Sequence, residues 1–229
     1  MKKYERIVLN IPHASIEGIA ESGWQQGKSF FSKVREWTDW YTDYLFWSNQ
    51  KQIIPVRFDL SRFSVDVERL ENDPLDAIGQ GILYKKFVDC ERTSDSSEQR
   101  RLLSAYYQHI DKLRNNLTSQ SILIDCHSFP SVLSDIDICI GFNKDWSQPT
   151  NDVIDLFIEP FDKIGYKVGL NDPYSNAISP NCPFKYHSIM IEINKRIYMN
   201  ELSLELSDNA ENVKSIISRI YNKLLMYGN

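Results

Sequence analysis

Histidines and carboxylates stand at four places where the local pattern asks for apolar side chains. The run Ile7-Val8-Leu9-Asn10-Ile11 is ended by Pro12, and His13 follows at its tip. The end of a buried strand is where α/β folds build their sites; a hydrogen-bonded structural histidine is the alternative reading. A second run, Leu123-Ile124-Asp125-Cys126-His127-Ser128, carries an acid and a histidine two residues apart. Strand alternation puts Asp125 and His127 on one face and Cys126 on the other. That pairing suits a metal ligand with its supporting carboxylate; an Asp/His pair at a surface edge is the plainer alternative.

The third place is Glu192, inside Ile189-Met190-Ile191-Glu192-Ile193-Asn194. A lone buried carboxylate is costly, so Glu192 must face a cavity, pair with a cation or hold its proton to higher pH. A cavity-facing Glu could serve as a general base near neutrality. A structural ion pair with Lys195, Arg196 or a distant arginine would satisfy it equally. The fourth is Thr38-Asp39-Trp40-Tyr41-Thr42-Asp43, where helical spacing predicts Asp39 and Asp43 on one face. A metal, an arginine or plain solvent would relieve their repulsion. No GxGxxG, GxxxxGK, HExxH or GxSxG occurs, so phosphate-loop and serine-nucleophile chemistry have no support.

These residues need a scaffold, and 229 residues suffice for one domain with a substantial core. Apolar runs at residues 7–11, 51–58, 121–126, 136–142, 166–170 and 188–193 read as strands. Residues 61–70 alternate strictly, placing Phe63, Val65 and Val67 on one face and Arg62, Ser64, Asp66 and Glu68 on the other. Helical periodicity marks residues 32–47, 101–117, 153–164 (interrupted by Pro160) and 210–226, with a loop at 90–99. Strands separated by helices predict a single α/β domain over 1–229 with a mixed, mostly parallel sheet flanked by helices. A net charge of −5 gives a nucleic-acid partner little support. Four cysteines without a CxxC pair read as reduced thiols. No signal peptide or membrane span is read from the chain, and a cytoplasmic protein is expected.

Taken in order, the segments resemble the N-formylglutamate amidohydrolase (deformylase) family. They are Ile11-Pro12-His13-Ala14-Ser15, Thr38 to Asp43, Ser61-Arg62 through Val65-Asp66-Val67-Glu68-Arg69, Asn72-Asp73-Pro74-Leu75 and Gly81-Ile82-Leu83-Tyr84. The strongest are the runs holding His127 and Glu192, followed by Ile197-Tyr198-Met199. The resemblance implies a zinc-carboxypeptidase-like (phosphorylase/hydrolase-like) fold. It also implies zinc-dependent hydrolysis of the linear amide of N-formyl-L-glutamate, giving formate and glutamate in histidine degradation. An amidase acting on another N-acyl amino acid or small peptide, or a metal-free binding protein, is the rival reading.

Carried onto this chain, the resemblance implies one zinc held by His13, Asp39 and His127. The carboxylate that carboxypeptidases place three residues after their first histidine is here Ile16, so Asp39 is chosen, with Glu17 as runner-up. Glu192 would be the general base and then acid. Arg62 and Arg69 would hold the anionic substrate, Arg62 also facing the oxyanion, with Asn194 as a further substrate ligand. On a regular strand the two arginines lie on opposite faces, so they can share a pocket only if the chain turns near residues 70–72. Three departures bear on specificity: Glu68 where many relatives carry Asn, a glycine-free segment at 171–176, and Lys195 in place of an arginine.

Overall fold

The computed structural model describes residues 3–20, 22–25, 28–71 and 73–225. Asn72 of the fourth motif and Met226 of the last predicted helix therefore lie outside the described residues. The chain runs β1 (Arg6–Ile11), α1 (Lys28–Trp37), α2 (Thr42–Leu45), β2 (Ile53–Arg57), β3 (Lys86–Phe87), β4 (Cys90–Glu91) and α3 (Ser96–Asn116). It continues through β5 (Ser121–Phe129), β6 (Ile138–Gly141), α4 (Asn151–Asp162), β7 (Val168–Leu170), β8 (His187–Asn194), β9 (Met199–Asn200), β10 (Glu205–Leu206) and α5 (Ala210–Leu225).

Six strands form one sheet in the order β2-β1-β5-β8-β6-β7. The neighbours are parallel except at β6, which runs antiparallel to β8, so the sheet is mixed and mostly parallel as expected. Central parallel strands are covered on both faces, which is why β1, β5 and β8 read as continuous apolar runs. Ile7, Leu9, Ile11, Ile122, Ile124, Cys126, Ile189, Ile191 and Ile193 pack into the core shared with α4 and α5. Val8 and Leu123 face the other way, onto Leu102, Tyr106, Ile110 and Leu113 of α3. Helix α3 lies over β1 and β2. Beside it, at the C-terminal ends of β5 and β8, irregular segments cover the sheet and leave a cavity.

Four predicted features take another form. Residues 61–70 make no strand. Their local hydrogen bonds are turns, with Ser64 and Val65 N–H both donating to the Ser61 carbonyl and Arg69 N–H to that of Asp66. The side chains of Ser61 and Asp66 capture the N–H groups of Phe63 and Glu68, so short polar side chains compete successfully with a ladder. The predicted helix 32–47 breaks into α1 and α2, with Tyr41 between them at φ 63°. Pro160 does not interrupt its helix: α4 runs on past it to Asp162. The expected loop at 90–99 contains β4 and the start of α3, capped by the Asp95 carboxylate. All four cysteines are free. Among the described residues no helix is long and apolar enough to cross a membrane.

Candidate active site

Three chain segments bring the first group together. His13 leaves the tip of β1 and is 2% exposed. After α1 the Thr38 hydroxyl donates to the Val34 carbonyl, ending the helix, and the Asp39 N–H donates instead to the His13 carbonyl. That main-chain bond sets the Asp39 carboxylate beside the His13 ring. His127 comes from β5, its ring centroid 5.2 Å from that of His13. Asp39 Oδ2 lies 3.1 Å from His127 Nδ1 and 3.7 Å from His13 Nδ1. Asp43 is elsewhere: the helix break sends it to the surface, where it pairs with Arg57 at 3.1 Å. Glu17 is exposed and outside this group; its backbone is bonded to Ser15 and Ser61.

The far nitrogen of each imidazole meets a buried carboxylate. His13 Nε2 is 2.8 Å from Asp66 Oδ1, and His127 Nε2 is 2.9 Å from Asp125 Oδ1. Burial opposes ionisation of Asp66, but Arg62, His13 and Arg69 hold it well below the usual carboxylate range. Burial likewise opposes ionisation of Asp125, and His127, the Ile178 N–H and Asn10 outweigh it. An ionised carboxylate only accepts, so each Nε2 carries a proton, which leaves Nδ1 of each ring as the nitrogen that stands beside Asp39.

His13 Nδ1 is buried without a hydrogen-bond partner. Burial works against a charged His127, yet Asp125, Asp39 and Glu68 raise its pKa well above the ordinary value. Burial opposes ionisation of Asp39, yet His127 and His13 hold its pKa far below the ordinary carboxylate value. The site thus draws a proton into the place where a cation would sit. Two imidazole nitrogens, each ring backed by a carboxylate, and one carboxylate oxygen, all within 4.8 Å of one another, fit a tetrahedral zinc with one position open.

Glu192 is the register partner of His127 on the neighbouring parallel strand, and both line a cavity of about 510 Å³. Ile191 and Ile193 point into the opposite core, as alternation demands. Burial pushes Glu192 up to about 7; Asp39 and Asp125 add to this while His127 and Arg62 oppose it. Its folded pKa lies above the ordinary 4.5, so the folded chain takes this proton first as pH falls. The cost of the buried charge is absent below pH 4.5 and complete above about 7. Glu192→Gln should therefore stabilise the metal-free chain at pH 8, by on the order of 3 kcal/mol at about 1.4 kcal/mol per pKa unit. The gain should vanish near pH 4; equal gains at both pH values in urea titrations would refute this origin.

The arginines share the cavity through a turn, not a strand face. Arg62 Nη2 lies 3.1 Å from Asp66 Oδ2 and Arg69 Nε 3.6 Å from the same oxygen. The Tyr84 hydroxyl donates to that oxygen at 2.8 Å and stands 3.4 and 3.5 Å from the two guanidiniums. One carboxylate against two guanidiniums leaves positive charge facing the cavity. Asp66 and Tyr84 had no assigned role in the sequence; only their places in the motifs pointed to them. Glu68 also lines the cavity, bonded to Asn10; burial, then Asp125, pushes its pKa well up.

Asn194 does not reach this cavity. Its amide donates to the carbonyls of Ser134 (3.2 Å) and Ile136 (2.9 Å) and its oxygen accepts from the Arg196 N–H, so it closes β8. Lys195 is also buried, its ammonium held by the Glu36 carbonyl, and burial lowers it to about 8. In the glycine-free segment, Asn171 (φ 52°) and Asn176 (φ 73°) take the left-handed conformations, which asparagine tolerates better than most residues. Tyr174 between them lines the cavity.

Known proteins share the fold. A crystal structure of N-formylglutamate amidohydrolase from Ralstonia eutropha JMP134 superposes with a TM-score of 0.78 at 17% identity, covering 99% of this chain and 94% of that one. The gene product Atu2144 from Agrobacterium tumefaciens gives 0.66 at 16% identity, covering 97% and 92%. No curated protein matches the chain. At these identities the likeness speaks for the fold. Residues 5–199, however, match the N-formylglutamate amidohydrolase family itself, a span that includes every residue of the site, and the chain belongs to that family.

Proposed function

We propose that the chain is a zinc-dependent amidohydrolase that cleaves N-formyl-L-glutamate to formate and L-glutamate. The observation that carries this is the convergence of two carboxylate-backed Nδ1 atoms on Asp39, beside Glu192 and an arginine pair in one cavity. His13, Asp39 and His127 would hold the zinc. When bound, the metal would polarise the amide carbonyl and lower the pKa of the attacking water.

The chain's own residues supply the rest. Glu192, deprotonated, takes a proton from the attacking water and delivers it to the departing amine. Arg62, pinned by Asp66, faces the oxygen on which negative charge develops. Arg69 holds a substrate carboxylate; a planar fork suits that geometry better than an ammonium does. Asp66 and Asp125 keep both imidazoles in the Nε2–H tautomer. A cytoplasmic place in histidine degradation belongs to the same proposal.

Formate release from N-formyl-L-glutamate by the zinc-loaded chain tests the reading. Loss of that release on chelation, with recovery on adding zinc back, is the expected pattern. A zinc-loaded chain that cleaves only N-acyl amino acids with neutral side chains would overturn the substrate assignment. Arg69→Lys should weaken N-formylglutamate about 10- to 100-fold, as loss of one charged, bidentate contact is worth roughly 1.5–3 kcal/mol. N-formylalanine should be spared; equal loss on both would mean that Arg69 reads the α-carboxylate.

A further inference from the structure

We propose that Asn10 and His109 are positioning residues that hold Asp125, and through it His127, in the geometry for metal binding. The proposal rests on the reading of His127 as a zinc ligand. Asn10 is wholly buried in the middle of the sheet, an unfavourable place for an amide unless every polar atom is bonded. All of them are. Its Nδ2 donates to Asp125 Oδ1 at 2.9 Å and to Glu68 Oε1. Its Oδ1 lies 2.7 Å from Nε2 of His109, which reaches across from α3 and is 2% exposed.

The chemistry permits one orientation. Asn10 must turn its donor toward the two acids, so its oxygen faces His109, and His109 must carry its proton on Nε2. The other nitrogen, Nδ1, is buried without a partner, and the ring packs edge-on to Phe58 at 5.1 Å. Burial lowers His109 to about 4, which keeps the ring neutral. Asn10 and Asp125 are register partners on β1 and β5, so the amide meets the acid from the side. Asp125 Oδ1 then receives both Asn10 and His127, while Oδ2 receives the Ile178 N–H at 3.0 Å. Without the Asn10 donor Asp125 Oδ1 is held by His127 alone, so the acceptor that fixes the His127 tautomer is less firmly placed.

Competition against a chromophoric chelator would measure zinc affinity in the full-length chain and in Asn10→Leu, His109→Phe and His109→Gln, beside thermal unfolding of the metal-free forms. Loss of an outer partner typically costs 10- to 100-fold in metal affinity. Asn10→Leu should fall in that range and His109→Phe near its lower end. His109→Gln, which can still donate to Asn10, should stay within about threefold of the parent. Unchanged zinc affinity in His109→Phe, or equal loss in His109→Gln, would overturn the proposal. So would a drop in metal-free stability with zinc affinity intact, which is what a merely structural role gives. If the parent chain itself fails to bind zinc tightly, the metal reading has failed instead. Should His109→Phe not fold, ring ¹⁵N spectra of the parent decide: His109 as the Nε2–H tautomer supports the relay, and an Nδ1–H tautomer or a charged ring refutes it.

Discussion

Glu192→Gln should leave zinc bound and cut turnover by about 10²–10⁴-fold, the usual contribution of a positioned acid–base group. The side chain keeps its size and can still hydrogen bond, but it cannot accept a proton. Its position supports the expectation: Glu192 stands beside His127 in register, lines the cavity and is outside the His13–Asp39–His127 group. Substrate affinity should change little, because the arginine pair that would hold the anion is supplied by another segment. The wild-type rate should also fall on the acid side as Glu192 takes its proton. The metal-free site places that loss near pH 7, and a bound cation moves it lower. The variant's small residual rate should lack that acid limb. Zinc lost together with activity would make Glu192 a ligand; turnover intact with lower stability would make it a structural partner.

The strand-borne part of the site was legible because a regular strand turns sequence parity into direction. Asp125 and His127 share a face, Cys126 opposes them, and Ile191 and Ile193 turn away from Glu192, all as alternation requires. The same rule failed at 61–70, where hydrophobic alternation mimics a strand but serine and aspartate side chains bind the backbone into turns. Arg62 and Arg69 therefore meet at Asp66, a juxtaposition that parity forbids and a turn permits. Helical spacing pointed to Asp39 only as a partner of Asp43, from which a left-handed Tyr41 separates it; no propensity rule anticipates a tyrosine there, and the role of Asp39 as a ligand came from the motif alone. Asn10 and His109 were invisible for another reason: 99 residues part them, and one amide in an apolar strand does not name its partner.

Replacing Asp39 should strip the metal, and replacing Glu17 should not. In Asp39→Asn the side chain keeps its shape but loses its charge, leaving two imidazoles and a neutral amide where the site has a carboxylate within reach of both Nδ1 atoms. Zinc affinity should fall by more than the 10- to 100-fold that follows loss of an outer-shell partner. His127→Ala should abolish metal content and activity together. Zinc protection against thermal unfolding should vanish in step, a loss of about 4 kcal/mol where free zinc stands at a thousand times its dissociation constant. Glu17→Gln alters an exposed side chain outside the cluster, so metal content, protection and rate should match the parent. If Glu17→Gln alone loses its zinc, the third ligand is misassigned. Full metal retention in His127→Ala would remove that histidine from the ligand set, and with it the relay through Asp125 that ties the metal to Asn10 and α3.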